Sequence, residues 1–147
     1  MILVRAKVKG EPDVSPFTRI FEYQDKSDEQ IFYESIGIIK EKLTRRLKIN
    51  TNESLMLYCS YVVDQIRDGK SIDTIEKNAP TILSPDMVMI GVPETLRTIT
   101  FEVHLDDHPK RHITLKVPIT TSNYVLATED EIQRLQVSSR VSGKIRN

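Results

Sequence analysis

The stretch NTNESLMLYCSYVVDQIRDG, residues 50–69, decides how the rest of the chain is arranged. Asn50 and Glu53 have the form of a capping box. The Asn side chain can take the amide of the third helical residue, and the Glu carboxylate can reach back to the Asn50 N–H. The spacing predicts a helix from there to about Asp68. Leu55, Met56, Tyr58, Cys59, Val62, Val63 and Ile66 cover more than half of its circumference, so it should be the central, most buried helix. Gly69 follows as a residue that takes positive φ without a Cβ clash and stops the helix.

Outward from this helix the pattern is regular. On the N-terminal side, Ser27-Asp28-Glu29-Gln30 reads as a capping box for an earlier helix. Ile31, Ile36, Ile39, Leu43 and Leu47 form its apolar face, widened by Phe32 and Ile38. Its last turns carry Lys40, Lys42, Arg45, Arg46 and Lys48, where cations are favoured by the helix dipole. On the C-terminal side, Ser71 is placed to cap a short helix with Ile72 and Ile75 inward. Ser84-Pro85-Asp86 is a further start signal. Gly91 is expected to stop that helix, and Pro93 to prevent it from resuming.

Beyond Pro93 the period changes to two. Ile99, Phe101, Val103 and Leu105 alternate with Thr98, Thr100, Glu102 and His104; after a turn, Ile113, Leu115 and Val117 alternate with Thr114 and Lys116. This is a β-hairpin with one apolar face, and that face must lie on the helices because a lone hairpin is marginal in water. Ile2, Val4, Ala6 and Val8 alternate with Arg5 and Lys7, which predicts a third strand added to that sheet. Gly10, Pro12 and Pro16 then break regular structure. Thr128-Glu129-Asp130-Glu131 predicts a short late helix with Ile132 and Leu135, followed by a basic tail. The fold class is therefore α+β: a small helical cluster closed by an antiparallel hairpin, with an N-terminal strand.

The chain has 147 residues, 21 basic and 21 acidic, and no net charge. A dedicated nucleic-acid binder would carry a positive excess. No apolar run approaches the roughly 18 residues of a membrane span. The single cysteine, Cys59, excludes an internal disulfide and a CxxC zinc site. Cytoplasmic location is the expectation. There is no phosphate-binding glycine loop and no nucleophile elbow. Cys59 lies on an apolar helical face, where an inert buried thiol is the commoner case. His104 and His112 sit symmetrically about the hairpin turn and could approach each other across the strands as metal ligands; the competing reading is a pair of ordinary surface histidines. No self-contained active site emerges from these residues, which points to a subunit or an interaction module.

Several ordered motifs make the reading specific. Leu47-Lys48-Ile49-Asn50 with Glu53-Ser54, then Arg67-Asp68-Gly69-Lys70-Ser71, then Leu83-Ser84 with Val88-Met89 and Gly91-Val92-Pro93-Glu94, and finally Pro118-Ile119, resemble in order the γ subunit of nickel-dependent urease. Ile90 stands where that family commonly has an acidic residue. The resemblance covers residues 27–119, leaving an N-terminal extension (1–26, strand plus linker) and a C-terminal extension (120–147). It implies a non-catalytic structural subunit of a urea-hydrolysing assembly. Nickel would belong to the partner α subunit, with none held by this chain. The chain would pack with α and β subunits, the motif residues Arg67, Asp68, Gly69, Gly91, Val92, Pro93 and Glu94 marking the shared fold and its contacts. Trimeric assembly is the family expectation. The alternatives are a stand-alone γ-like regulatory module and a weak metal binder through the hairpin histidines.

Overall fold

A computed structural model of the chain describes residues 1–120, so the expected helix at Thr128 and the basic tail lie outside the described residues. The elements run β1 (Ile2–Lys9), β2 (Phe17–Tyr23), α1 (Lys26–Thr44), α2 (Thr51–Arg67), α3 (Ile72–Asn78), α4 (Val92–Thr95), β3 (Thr98–Leu105) and β4 (Arg111–Lys116), with 3-10 turns at Ala79–Thr81 and Pro85–Met87. The four strands form one antiparallel sheet in the order β2-β1-β3-β4.

The α+β class holds, and the alternation in the sequence maps onto the two faces of the sheet. Ile2, Val4, Ala6, Val8, Ile99, Phe101, Val103, Leu105, Ile113 and Leu115 are buried and join the helices in a single core. Full burial of a side chain such as Phe101 or Ile113 is worth roughly 1.5–3 kcal/mol. β1 occupies an interior position in the sheet. It pairs with β3 from Ile2↔Leu105 to Lys9↔Thr98 and with β2 from Ile2↔Tyr23 to Val8↔Phe17. The β2 strand was not expected. The prolines before it read as a break, and six of its seven residues, all but Phe21, are only partly buried or exposed along an edge in a way that alternation does not disclose.

α2 is the buried helix that its sequence describes. Asn50 Oδ1 accepts the Glu53 amide at 2.8 Å, and the Asn50 amide donates to Glu53 Oε1 at 3.0 Å. Nine of its residues are buried, from Ser54 to Ile66. Tyr58 is wholly enclosed and its hydroxyl has no hydrogen-bond partner among the described residues. Such an unsatisfied group costs about 1–3 kcal/mol, which the burial of the ring must offset.

Three local expectations are corrected. The N-cap of α1 is Asp25, whose Oδ1 accepts the Asp28 amide at 2.9 Å; Ser27 already lies inside the helix. Asp wins because its carboxylate sits at the positive end of the helix. The apolar face of α1 is narrower than the sequence suggests. Phe32, Ile36 and Ile39 are buried, whereas Ile31, Ile38 and Leu47 are exposed. Gly91 does not end a helix; with φ 93° it precedes the one-turn α4, and Pro93 lies in that first turn, where a missing N–H costs nothing.

α1 and α2 end in the same way. Leu47 N donates to Lys42 O and Arg46 N to Leu43 O; Lys70 N donates to Gln65 O and Gly69 N to Ile66 O. Both are Schellman ends, and each needs a left-handed residue. Gly69 supplies φ 77° freely, while Arg46 adopts φ 61° against its own Cβ. Arg46→Gly is therefore expected to raise stability by about 0.5–1 kcal/mol, and Gly69→Ala to lower it by about 1 kcal/mol. Paired urea titrations would check both; equal effects of one sign would refute the common end geometry.

Candidate functional site

The motif residues fall into two groups. Arg67, Asp68 and Gly69 form the C-terminal end of α2. Arg67 reaches across to α1, donating to Tyr33 Oη at 2.9 Å and pairing with Glu29 at 3.4 Å. Gly91, Val92, Pro93 and Glu94 belong to the segment that runs past the start of α2, where Ile49 and Val88 form a parallel bridge. The Ile49 amide donates to Met87 O at 3.1 Å and the Met89 amide to Ile49 O at 2.9 Å. The 17 residues of α2 separate the two groups by roughly 25 Å at 1.5 Å per residue. They are not one surface. Val92 and Pro93 are buried, so they hold the segment in place, while Gly91 and Glu94 face outward.

The segment around the Ile49–Val88 bridge has an unusual surface. Ile49 and Val88 are inside, and Leu47, Met87, Met89 and Ile90 beside them are exposed, Ile90 completely. Four large apolar side chains on two adjoining segments form an exposed apolar patch, the kind of surface that marks a protein contact. Methionine suits such a surface, since its unbranched side chain adapts to a partner. Lys48 donates through Nζ to Asp86 O at 2.9 Å and ties the two segments together at the patch's rim.

The second candidate is the solvent side of the sheet. His104 and His112 do not face each other. Glu102 pairs with His112 in the register of β3 and β4, and its carboxylate lies between the two rings, 3.0 Å from His104 Nε2 and 3.6 Å from His112 Nε2. Arg5 Nη1, from the neighbouring β1, stands 3.1 Å away and Lys110 Nζ 3.6 Å away. One carboxylate thus gathers two fixed cations and two imidazoles. The charge of that carboxylate is already balanced by Arg5 and Lys110. Among the described residues no group of three or more His, Cys, Asp or Glu is placed to hold a metal ion. The residue that sequence reasoning passed over is Glu102. The cross-strand His112 was a usable signal, but Arg5 could be placed only once β1 was known to lie against β3.

Two other groups bear on chemistry. Cys59 is fully buried, and burial pushes its thiol up, away from the reactive thiolate. A groove of about 350 Å³ lies between α1, α2 and the Ala79–Thr81 turn, lined by Lys40, Leu43, Tyr61, Asp64 and Ile82 among others. Burial raises the Asp64 carboxyl, against the opposing charge of Lys40 and a hydrogen bond from Tyr33. The groove holds no nucleophile with an adjacent base, so nothing there assembles a catalytic set.

The Glu102 cluster has a pH signature. The hydrogen bond from His104, aided by the charges of Lys110 and Arg5, lowers its carboxyl from the ordinary 4.5 to about 2. The folded value is the depressed one, so the stability it contributes is present above about pH 4.5 and is lost as pH falls towards 2. Glu102→Gln should flatten the fall of melting temperature across that window. Parallel wild-type and variant slopes would show that the cluster adds nothing.

The comparisons with known proteins agree with the geometry. The family described as "Urease, gamma subunit" matches residues 22–119. The chain is 35% identical over 92 residues to the urease subunit gamma of Halalkalibacterium halodurans, covering 62% of this chain and 91% of that protein. It is 30% identical over 94 residues to the urease subunit gamma of Prochlorococcus marinus, covering 64% of this chain and 93% of that protein. Residues 22–119 contain α1 to α4, β3, β4 and the Gly91–Glu94 segment. From that match, and from relatives spanned over nearly their whole length, the chain belongs to the urease γ subunit family.

Proposed function

We propose that this chain is a non-catalytic structural subunit of a nickel-dependent urease assembly, packing with a metal-bearing α subunit and a β subunit in the cytoplasm. The observation that carries the reading is the family match joined to an exposed apolar patch on the matched segment. A patch of Leu47, Met87, Met89 and Ile90 costs solubility unless another chain covers it. Ile90 is apolar and fully exposed, so the contact it makes is one of packing, not of ion pairing. Nickel and the water it would activate are assigned to the α subunit, as the family resemblance implies. What this chain supplies is shape: buried motif residues, two Schellman ends and a bridge that hold the patch rigid before docking. Pre-ordering of that kind reduces the entropy lost on association.

The second reading, a stand-alone γ-like module outside a working urease, is favoured by the extra strands at the N-terminus. One experiment separates the two. Co-expressed with urease α and β subunits, the full chain should co-purify in a complex of multiple subunits by native mass measurement. Met89→Glu with Ile90→Glu should abolish recovery in that complex and leave the melting temperature of the free chain within the change that about 0.5 kcal/mol produces. Recovery of the wild type only as a lone monomer, or undiminished assembly of the double variant, would contradict the proposal.

A further inference from the structure

The part of the chain that precedes the family match has a defined task in the sheet. The shared region starts at Glu22, so β1 and all but the last two residues of β2 are additional to it. Without them, β3 would offer the eight-residue edge Thr98–Leu105, rich in β-branched and aromatic residues, with alternate side chains in the core. Such an edge is a template for any strand that can reach it. The structure closes it along its full length with β1. The opposite edge of the sheet is also managed, because Glu76 Oε2 on α3 accepts the outward Thr114 amide of β4 at 2.9 Å.

The new edge, β2, is a poor template. Pro16 stands directly before it. Arg19 pairs with Ala6 and so lies on the helix side of the sheet, its guanidinium carbon 5.6 Å from the centre of the Phe17 ring. A strand added there would have to bury that charge. The hairpin is pinned at both ends. The Met1 ammonium lies 2.6 Å from Asp106 and 3.1 Å from Glu29. At the turn, the Glu11 amide donates to Glu94 O at 2.9 Å, and a Cβ on Gly10 would come within 2.8 Å of the Glu94 and Thr95 carbonyl oxygens.

We propose that residues 1–23 are a built-in donor hairpin: β1 fills the strand-accepting edge of the urease-γ core from within the same chain, and β2 replaces it with an edge that accepts no strand. The β3 edge is a site for one extended, alternating apolar strand, and its occupant is β1. The core then completes its sheet without help from another chain, and any partner must dock elsewhere. The inference rests on the family reading only for where the shared region begins.

The test uses the full chain. A protease site placed in the turn between Glu11 and Ser15 is cut after folding. The N-terminal fragment should stay bound, eluting with the remainder at the mass of one chain with unchanged circular dichroism. Ala6→Asp, which puts a charge on the buried face of β1, should release the hairpin and shift the chain from one copy to two or more; a synthetic peptide of residues 1–23 should bring it back to one. Arg19→Val should make association concentration-dependent. Loss of the cut fragment from a still-folded monomer would overturn the proposal. So would an Ala6→Asp chain that stays monomeric, or one that the peptide fails to restore. A strictly monomeric Arg19→Val chain would overturn the guarded-edge half. None of these readouts involves a urease partner, so a failed assembly experiment leaves the proposal standing.

Discussion

The contact on which the structure depends is the antiparallel pairing of β1 with β3, from Ile2↔Leu105 to Lys9↔Thr98. β3 sends Ile99, Phe101, Val103 and Leu105 into the core while its backbone needs partners on both sides. β4 satisfies one side and β1 the other. Four paired strands give the helices a broad apolar floor, whereas two would give a marginal one. The same pairing sets Arg5 beside Glu102 and so builds the charged cluster on the outer face. Core and surface thus share a single register, and a slip by one residue would invert both.

Most of the fold was legible because its signals were local. The Asn50–Glu53 capping box, the Gly69 end and the period-two strands each predict an element from a few neighbouring residues, and each element formed. What was hidden depended on distant partners. β2 reads as a broken loop because prolines precede the strand and its outer residues are solvated; only β1 makes it a strand. The exposed Ile31 and Ile38 fit a helical stripe by spacing, yet the face that meets the core is centred on Phe32, Ile36 and Ile39. Periodicity gives the set of apolar residues, but packing chooses among them.

The candidate site follows the same division. The Gly91–Glu94 motif was visible as a pattern, but its split between buried Val92 and Pro93 and outward Gly91 and Glu94 was not. The two motif groups lie at opposite ends of α2. The apolar patch was invisible for a physical reason. Leu47, Met87, Met89 and Ile90 look like core residues until the Ile49–Val88 bridge takes the inward positions. His104 and His112 were visible as a pair, but the Glu102 carboxylate between them was not.

In this account a family core whose matched residues are turns, caps and core positions carries an added hairpin that completes its own sheet. The central claim is that β1 is an interior strand of that sheet. Hydrogen exchange of the free full-length chain, read residue by residue, tests it most directly. The account predicts that the amides of Val4, Ala6 and Val8 exchange as slowly as those of Ile99, Phe101 and Val103, since both strands open only with the sheet. Fast exchange along β1 beside a protected β3 would contradict it.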